Sequence, residues 1–387
     1  MNRAPPIISS ILKVIATLAI IIVGAFGMLW LRAYSPANVE TLSVECSADA
    51  PAWSPQSPLK VMSYNVQYMA SKNYIFFYDI DVNDPAAVDA VAKADKMLAS
   101  QPSKEHVFWT LDQVAKVIID EDPDIVLLQE MNGADDSRTY YIDLLGELRS
   151  RLPADDYACH TQAPYWQAEF IFHPQILGPV DMRLVTLSRY RITTALRHQL
   201  PRPERHSLVR PFHFQRALLE ARIAAVDGSS VAVINTHFEA WAAGTGIMEQ
   251  QVASTEAVLQ TLDSESIPWV LGGDLNLLPP DDNRQRRRIH AARTGRYDEN
   301  PQIQALYQRY RAVPDRQALL SDNASAWYTF FPNDPTVDGP DRTIDYLFFS
   351  EQWSLDDAQV LQQGTLDISD HLPVVGVYSL ADDVDSL

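Results

Sequence analysis

Asp274 and Asn276 stand one residue apart just beyond the apolar run 267–271, with Gly272 and Gly273 leading into them. The run reads as a buried strand, and paired glycines let the backbone turn sharply at its end without a Cβ clash. A carboxylate and a carboxamide presented together can converge on one ligand. The first accepts a proton or faces a cation, and the second donates N–H to an anionic oxygen. A plain hairpin turn uses the same residue types, so the remaining polar residues decide between the two readings.

Glu130 follows four aliphatic residues, 125–128, and Gln129; a carboxylate in that position is expected to be a metal ligand rather than a solvated surface group. Asn65 closes the strand 59–66. His237 follows the strand 230–235, which pairs with 218–226 through a turn at Asp227-Gly228. Asp345 lies in the strand 343–349, and Asp370 and His371 precede the strand 374–380. These polar groups are all expected at strand ends, which meet in space on one edge of a layered fold. Carboxylates gathered there repel one another, and a divalent cation resolves the repulsion. Oxygen-rich ligation with few histidines favours Mg²⁺, with Mn²⁺ as a substitute. The two cysteines, Cys46 and Cys159, form no Cys/His spacing typical of zinc; whether they pair is open from the sequence.

The elements that must position these groups follow from periodicity. Val107, Leu111, Val114 and Ile118 recur at helical spacing, predicting an amphipathic helix over 106–120 that Pro123 stops. Met248, Val252, Val258, Leu259 and Leu262 predict a second helix ahead of the central strand, and 183–187 reads as a further strand. The order is strand, polar turn, helix, repeated. An aromatic patch, Tyr74, Phe76, Phe77 and Tyr78, is compatible with core packing or with a lipid-facing loop.

Composition bounds the rest. With 47% hydrophobic and 21% charged residues the chain is an ordinary globular one, so disorder is not expected. Its net charge of -19 repels polyanions on average, although a locally basic groove could overcome this. Such a concentration exists at Arg284, Arg286, Arg287, Arg288, Arg293 and Arg296. It reads either as a solvated helix face or as a collar for phosphates, with Arg284 the candidate substrate-binding residue. Residues 14–31 carry no charge and span about 27 Å as a helix, long enough for one membrane crossing and longer than a signal peptide's apolar region. Residues 1–34 are therefore expected to be an uncleaved anchor. Arg3 and Lys13 ahead of the core place the amino terminus in the cytoplasm and the bulk of the chain on the extracytoplasmic, periplasmic side. Residues 35–58, with four prolines, read as a tether, 59–380 as the catalytic body and 381–387 as an acidic tail.

Taken together, Ser63-Tyr64-Asn65-Val66, Leu128-Gln129-Glu130, Asn235-Thr236-His237, Gly273-Asp274-Leu275-Asn276, Ile344-Asp345-Tyr346 and Ser369-Asp370-His371-Leu372-Pro373 resemble, in order, the motifs of the endonuclease/exonuclease/phosphatase superfamily, the DNase I-like proteins. The resemblance runs from about residue 59 to 380. It implies an α+β fold, a four-layer α/β/β/α sandwich, with the active site at one end of its two sheets. It further implies Glu130 as principal metal ligand with Asn65 and Asp370 beside it, and Asp274 orienting or deprotonating the attacking water. Asn276 and His237 would contact the phosphate, and His371, oriented by Asp345, the phosphoryl group. The chain departs from the pattern in three places. Gln67 stands where some family nucleases carry an acid. The acid that pairs with the second histidine in DNase I is not obvious among Asp181, Glu169 and Glu239. An insertion is expected around 74–103.

These readings imply a membrane-tethered, Mg²⁺-dependent phosphoesterase acting on a phosphate ester, with a lipid or inositol-type head group as one substrate class. An extracytoplasmic nuclease and a non-catalytic binding module are the rival expectations; no protein partner is inferable.

Overall fold

The computed structural model describes residues 6–80, 85–94, 97–154, 156–240, 242, 244–280, 297 and 302–381. Arg284 with the rest of the basic cluster, and the acidic tail beyond residue 381, lie outside the described residues.

Helix α1 (Pro6–Arg32) is followed by two three-residue strands, β1 (Val39–Thr41) and β2 (Val44–Cys46), and by the first core strand, β3 (Leu59–Asn65). A parallel pair, β4 (Tyr74–Ile75) and β5 (Met97–Leu98), brackets α2 (Pro85–Lys93), and α3 (Lys104–Glu121) comes next. Then follow β6 (Ile125–Asn132), α4 (Leu144–Arg149), β7 (Cys159–Ile171), β8 (Gly178–Ser188) and β9 (Ile192–Gln199). The hairpin β10 (Ala217–Ala224) and β11 (Ser230–His237) leads through α5 (Ile247–Ser264) into β12 (Trp269–Asp274). The remainder comprises α6 (Gln304–Arg309), β13 (Arg311–Val313), α7 (Arg316–Leu320), β14 (Asp345–Phe349), β15 (Trp353–Val360) and β16 (Val374–Leu380).

The strands form two seven-stranded sheets, ordered β1-β9-β10-β11-β12-β14-β13 and β15-β16-β3-β6-β8-β7-β2. Between them lies an apolar layer that includes Val61, Leu127, Val233, Val270 and Leu347. On the outer face of the second sheet, Leu111, Val114 and Ile118 of α3 and Leu148 of α4 pack against Met62, Leu128 and Val185. On the outer face of the first, Val252, Leu259 and Leu262 of α5 and Leu306 of α6 pack against Ile234, Leu271 and Phe348. The result is the expected four-layer sandwich. The predicted helix 106–120 is α3, opened by Ser103, whose Oγ accepts from the His106 amide, and closed at a left-handed Asp122.

Several expectations change. Gly272 and Gly273 do not end the central strand; they lie inside β12. A Cβ on Gly272 would sit 2.8 Å from Leu127 Cδ1 and Leu347 Cδ2, and one on Gly273 would sit 2.1 Å from the Thr236 carbonyl oxygen. The glycines therefore permit close packing of strands and sheets rather than a turn. Segment 35–58 is not a free tether. Val39 pairs with His198 at the edge of one sheet, Val44 with Thr161 at the edge of the other, and Trp53 is fully buried in the layer between them. Proline and serine content concealed this, because edge strands of three residues leave no periodic signature. β7, β9 and β15 were also not foreseen; Pro164 interrupts the first, and the adjacent Asp356 and Asp357 break the alternation of the last.

Cys46 and Cys159 are joined by a disulfide across 113 residues, pinning β2 to the end of β7. Closing a loop of that length restricts the unfolded chain strongly, so Cys159→Ser is expected to lower unfolding stability by about 2–5 kcal/mol. Thermal or urea unfolding with and without reductant measures this; an unchanged midpoint would mean that strand pairing alone holds β2.

Candidate active site

The carboxyl ends of β3, β11 and β12 lie together, because β11 and β12 run parallel with His237 beside Asp274, and β14 runs antiparallel to β12 with Asp345 opposite Asp274. Asn65 ends β3 and reaches across the sandwich: its Nδ2 donates to Asp274 Oδ2 at 3.2 Å and to Glu130 Oε1 at 3.3 Å. Glu130 is not at a strand end. It sits within β6 at φ 61°, where the pairing with β8 skips between Leu128 and Met131. That bulge turns a side chain of a continuous strand into the site.

These groups face a cavity of about 370 Å³, lined among others by Gln67, Glu130, Arg216, His237, Asp274, Asn276, Asp370 and His371. Asp345 stands behind His371, its Oδ1 and Oδ2 lying 3.0 and 2.9 Å from Nδ1. Thr329 Oγ1 accepts from the Asp345 amide, and Ser369 Oγ donates to the Asn65 carbonyl at 2.8 Å, fixing the two ends of this arrangement. Of the sequence-derived candidates, Asn65, Glu130, His237, Asp274, Asn276, Asp345, Asp370 and His371 are thus brought together, and Arg284 is outside the described residues.

The electrostatics separate the two histidines. Burial alone would neutralise His371, but Asp345, Asp274 and Asp370 around it overcome that cost and hold its pKa well above the ordinary value. His237 is pushed well below it by burial, Arg216 and His371. A neutral His237 needs one donor and one acceptor nitrogen. Tyr165 hydroxyl lies 3.2 Å from Nδ1, and Asp274 Oδ2 lies 3.2 Å from Nε2. The consistent assignment is Tyr165 donating to Nδ1 and Nε2–H donating to Asp274. None of the three anticipated acids is bonded to His237 among the described residues. The neighbours of its Nδ1 are Tyr165 and, at 3.9 Å, Glu130.

Three carboxylates hold protons more tightly than usual. Asp274 rises to about 7 through burial and its neighbours Asp345 and Glu130, despite His371. Glu130 rises through burial and then Asp370, and Asp370 through burial. Asp274, Asp345 and His371 bring donor atoms within 4.8 Å of one another. Yet a protonated imidazole cannot ligate, and Nδ1 of His371 is engaged by Asp345. Glu130 and Asp370, with the Asn65 carboxamide nearby, could hold a cation: they offer hard oxygens, largely withdrawn from water, and Asp370 raises the proton affinity of Glu130.

Three residues in or beside the cavity were given no role by the sequence reading. Gln67, at φ 44°, has a buried carboxamide with no hydrogen-bond partner among the described residues. Tyr165 belongs to a strand hidden by Pro164. Arg216 precedes β10 and reads as a flanking surface cation, but it is 3% exposed. Its guanidinium stacks over Phe214 at 4.2 Å and Tyr165 at 5.1 Å, and its Nε and Nη1 make no hydrogen bond among the described residues. Glu239 comes only within 4.0 Å. With this loose ion pair and no hydrogen bond at Nε or Nη1 among the described residues, Arg216 brings positive charge to a cavity that Arg138 and His371 also line.

The sequence profile of the Endonuclease/Exonuclease/phosphatase family matches residues 108–371. No curated protein matches the sequence. Among solved structures, the chain is similar to an endonuclease/exonuclease/phosphatase from Beutenbergia cavernae, with a TM-score of 0.54 and 20% identity over 84% of this chain and 72% of that one. It is also similar to the human Nocturnin catalytic domain with bound sulfate anion, at a TM-score of 0.48 and 16% identity, covering 84% of this chain and 94% of that one. A D. rerio TDP2 complexed with single strand DNA product is similar at a TM-score of 0.45 and 15% identity, covering 83% and 99%. The first of these establishes the shared fold.

A raised carboxylate pKa has a defined consequence for stability. Between the unfolded value near 4 and the folded value of about 7, native Asp274 binds more protons than the unfolded chain, so its contribution falls as pH rises through that window. His237 works oppositely below about pH 6.5, which is why a difference is the clean measurement. The metal-free wild type is expected to lose midpoint temperature relative to Asp274→Asn as pH rises from about 4 to 7. Parallel melting curves for the two proteins across that range would contradict the assignment.

Proposed function

Because the chain belongs to the endonuclease/exonuclease/phosphatase family and is a hydrolase acting on phosphoester bonds, we propose that it is a membrane-anchored, extracytoplasmic, Mg²⁺-dependent phosphoesterase whose eight motif residues form one catalytic centre. The observation that carries the proposal is the convergence on one cavity of three proton-retaining carboxylates, a protonated and a neutral histidine, and an arginine whose Nε and Nη1 make no hydrogen bond among the described residues.

Glu130 and Asp370, with Asn65 and the unpartnered Gln67 amide at hand, would hold the cation. When bound, it supplies positive charge to a phosphate oxygen and to a water or leaving oxygen. Asp274, with a pKa near neutrality, accepts the proton of the attacking water. Asn65 and His237 fix its carboxylate by donating to Oδ2, while the Asn276 amide donates to Oδ1. The water oxygen forms a bond to phosphorus as the ester oxygen leaves. The His371 imidazolium, oriented by Asp345, donates to the phosphoryl group, where negative charge grows. Asn276 keeps one amide hydrogen for a phosphate oxygen, the other pointing to the Phe238 carbonyl at 3.3 Å. Arg216 meets a further anionic oxygen.

The apolar helix Ser10–Arg32, with none of its most apolar stretch buried, supports the anchor. The disulfide supports an oxidising, extracytoplasmic compartment. The aromatic walls of the cavity, Tyr68, Tyr78, Trp166 and Phe214, favour an ester with an apolar or ring-bearing substituent, as in a lipid or inositol-type phosphate.

Purified enzyme with bis(p-nitrophenyl) phosphate and Mg²⁺ is expected to release nitrophenol, with EDTA abolishing turnover and Asp274→Ala lowering kcat on the order of 10²–10³. Turnover indifferent to both would refute the mechanism. Arg216→Met is expected to raise KM about 10- to 100-fold with less change in kcat, since a charge-assisted contact to substrate is removed. A KM equal to wild type would make the guanidinium structural.

A further inference from the structure

The carboxyl-terminal turns of α1 are not isolated from the folded body. Phe26 packs against Phe172 and Phe212, with ring centroids 6.3 and 5.8 Å away. Trp30 Nε1 donates to the Ser207 carbonyl at 3.4 Å, and Arg32 lies 3.4 Å from Glu169. Phe172 belongs to the β7–β8 loop, 172–177, and Ser207 and Phe212 to the β9–β10 connection, 200–216.

Helix geometry turns these contacts into a depth. Phe26 precedes Arg32 by six residues, about 9 Å along the axis. If α1 crosses a bilayer with Arg32 at the headgroups, Phe172 and Phe212 lie at the level of Phe26, below the plane of Arg32. Ser207 lies at the level of Trp30, a residue type that prefers the interface. The same two loops expose a row of large apolar side chains: Phe172 at 63%, Leu177 at 62%, Leu208 at 51% and Val209 at 43%. On a soluble face such a cluster is costly; at a leaflet boundary it is stabilising. Arg202, Arg205 and Arg210 accompany it against the single acid Glu204, in a chain whose net charge is -19. That local reversal complements anionic lipid headgroups.

The loops also wall the catalytic cavity. Phe214 and Ile176 line it, as does Phe77, whose ring packs at a tilt on His173 at 4.8 Å. Trp166, another lining residue, donates to the Phe212 carbonyl at 3.0 Å and packs on Phe214 at 4.3 Å.

We propose that loops 172–177 and 205–213 sink into the leaflet beside α1 and open the catalytic cavity onto the bilayer surface, so that the substrate is a phosphoester carried by a bilayer-resident amphiphile. The proposal rests on the phosphoesterase and anchor readings above, and narrows the substrate to a lipid phosphoester entering from the membrane side.

Depth and chemistry are tested separately on the full chain in vesicles of phosphatidylcholine, phosphatidylglycerol and phosphatidylinositol. Both native cysteines are disulfide-bonded, so Leu208→Cys carries a unique thiol for an environment-sensitive fluorophore. Blue-shifted emission quenched by spin-labelled lipids is expected there, and water-like emission at Ser229→Cys, beyond the far end of β10. Water-like emission at both positions overturns the loop insertion. The pair Leu208→Asp and Val209→Asp is expected to lower phosphate-ester release from vesicle lipid by at least about ten-fold, through weakened insertion, while hydrolysis of bis(p-nitrophenyl) phosphate stays at the wild-type rate. Undiminished vesicle activity, or wild-type cleavage of plasmid DNA with none of vesicle lipid, overturns the substrate assignment. Loss of bis(p-nitrophenyl) phosphate hydrolysis in the unmodified chain would instead remove the phosphoesterase mechanism and leave the depth result standing.

Discussion

Glu130, Asp274 and Asp370 share one buried cavity, and the rest of the site is arranged around the cost of that proximity. Burial raises the proton affinity of all three. The nearest positive group, His371, is itself held protonated only by the acids beside it. Arg216 brings a charge that no hydrogen bond absorbs among the described residues. A buried polar or charged group without a partner is unfavourable by several kcal/mol in general, so the arrangement is an incomplete set of ion pairs. Under the proposed mechanism a divalent cation on the acidic side and an anionic ester on the side of Arg216 and His371 would complete it.

The scaffold keeps this set from relaxing. Gln129 Nε2 on one sheet donates to Asn235 Oδ1 on the other at 2.8 Å, and Asn235 Nδ2 returns bonds to the Leu128 and Val185 carbonyls. These amides sit one and two residues before Glu130 and His237, so the sheets are locked directly behind the groups they present. Glycine at 272 lets Leu127 and Leu347 close over β12. Positive φ angles at Gln67, Glu130 and Asn276 are unfavourable for such residues, and they persist because the surrounding hydrogen bonds and bulge determine them. The asparagine motifs of the sequence are thus partly structural: Asn235 and Gln129 serve alignment, not contact with substrate.

The legible part of the molecule was whatever leaves a local signature. Apolar strands ending in polar residues, and two helices of readable period, pointed to eight candidate residues, and the resemblance of their motifs to a known superfamily implied the sandwich. What stayed hidden depends on long-range pairing. Tyr165 takes the place expected for an acid, and nothing in Pro164-Tyr165-Trp166 announces that its hydroxyl will meet a histidine 72 residues on. Arg216 looks like any cation flanking a strand until its burial is known. Strands of three residues at 39–41 and 44–46 lie below the length at which alternation can be read. Glu130, singled out as a carboxylate after aliphatics, does face the cavity, but from a bulge rather than the expected strand end.

The short strands alter how the proposed anchor and the proposed catalytic centre relate. A free tether of the 24 residues in 35–58 would let the body wander roughly 25–30 Å from the end of α1, by the scaling for flexible chains. Instead β1 joins β9 and β2 joins β7, and a disulfide closes the second joint. The loops that leave β7 and β9 are the ones that touch α1 and wall the cavity. Only 33–38 separates the helix from its first strand, so strand pairing and side-chain packing set the same short distance twice. A cavity held at a fixed height above a membrane meets substrates of that plane at a cost in orientation already met by folding, whereas a substrate dissolved in the surrounding water gains nothing from the arrangement.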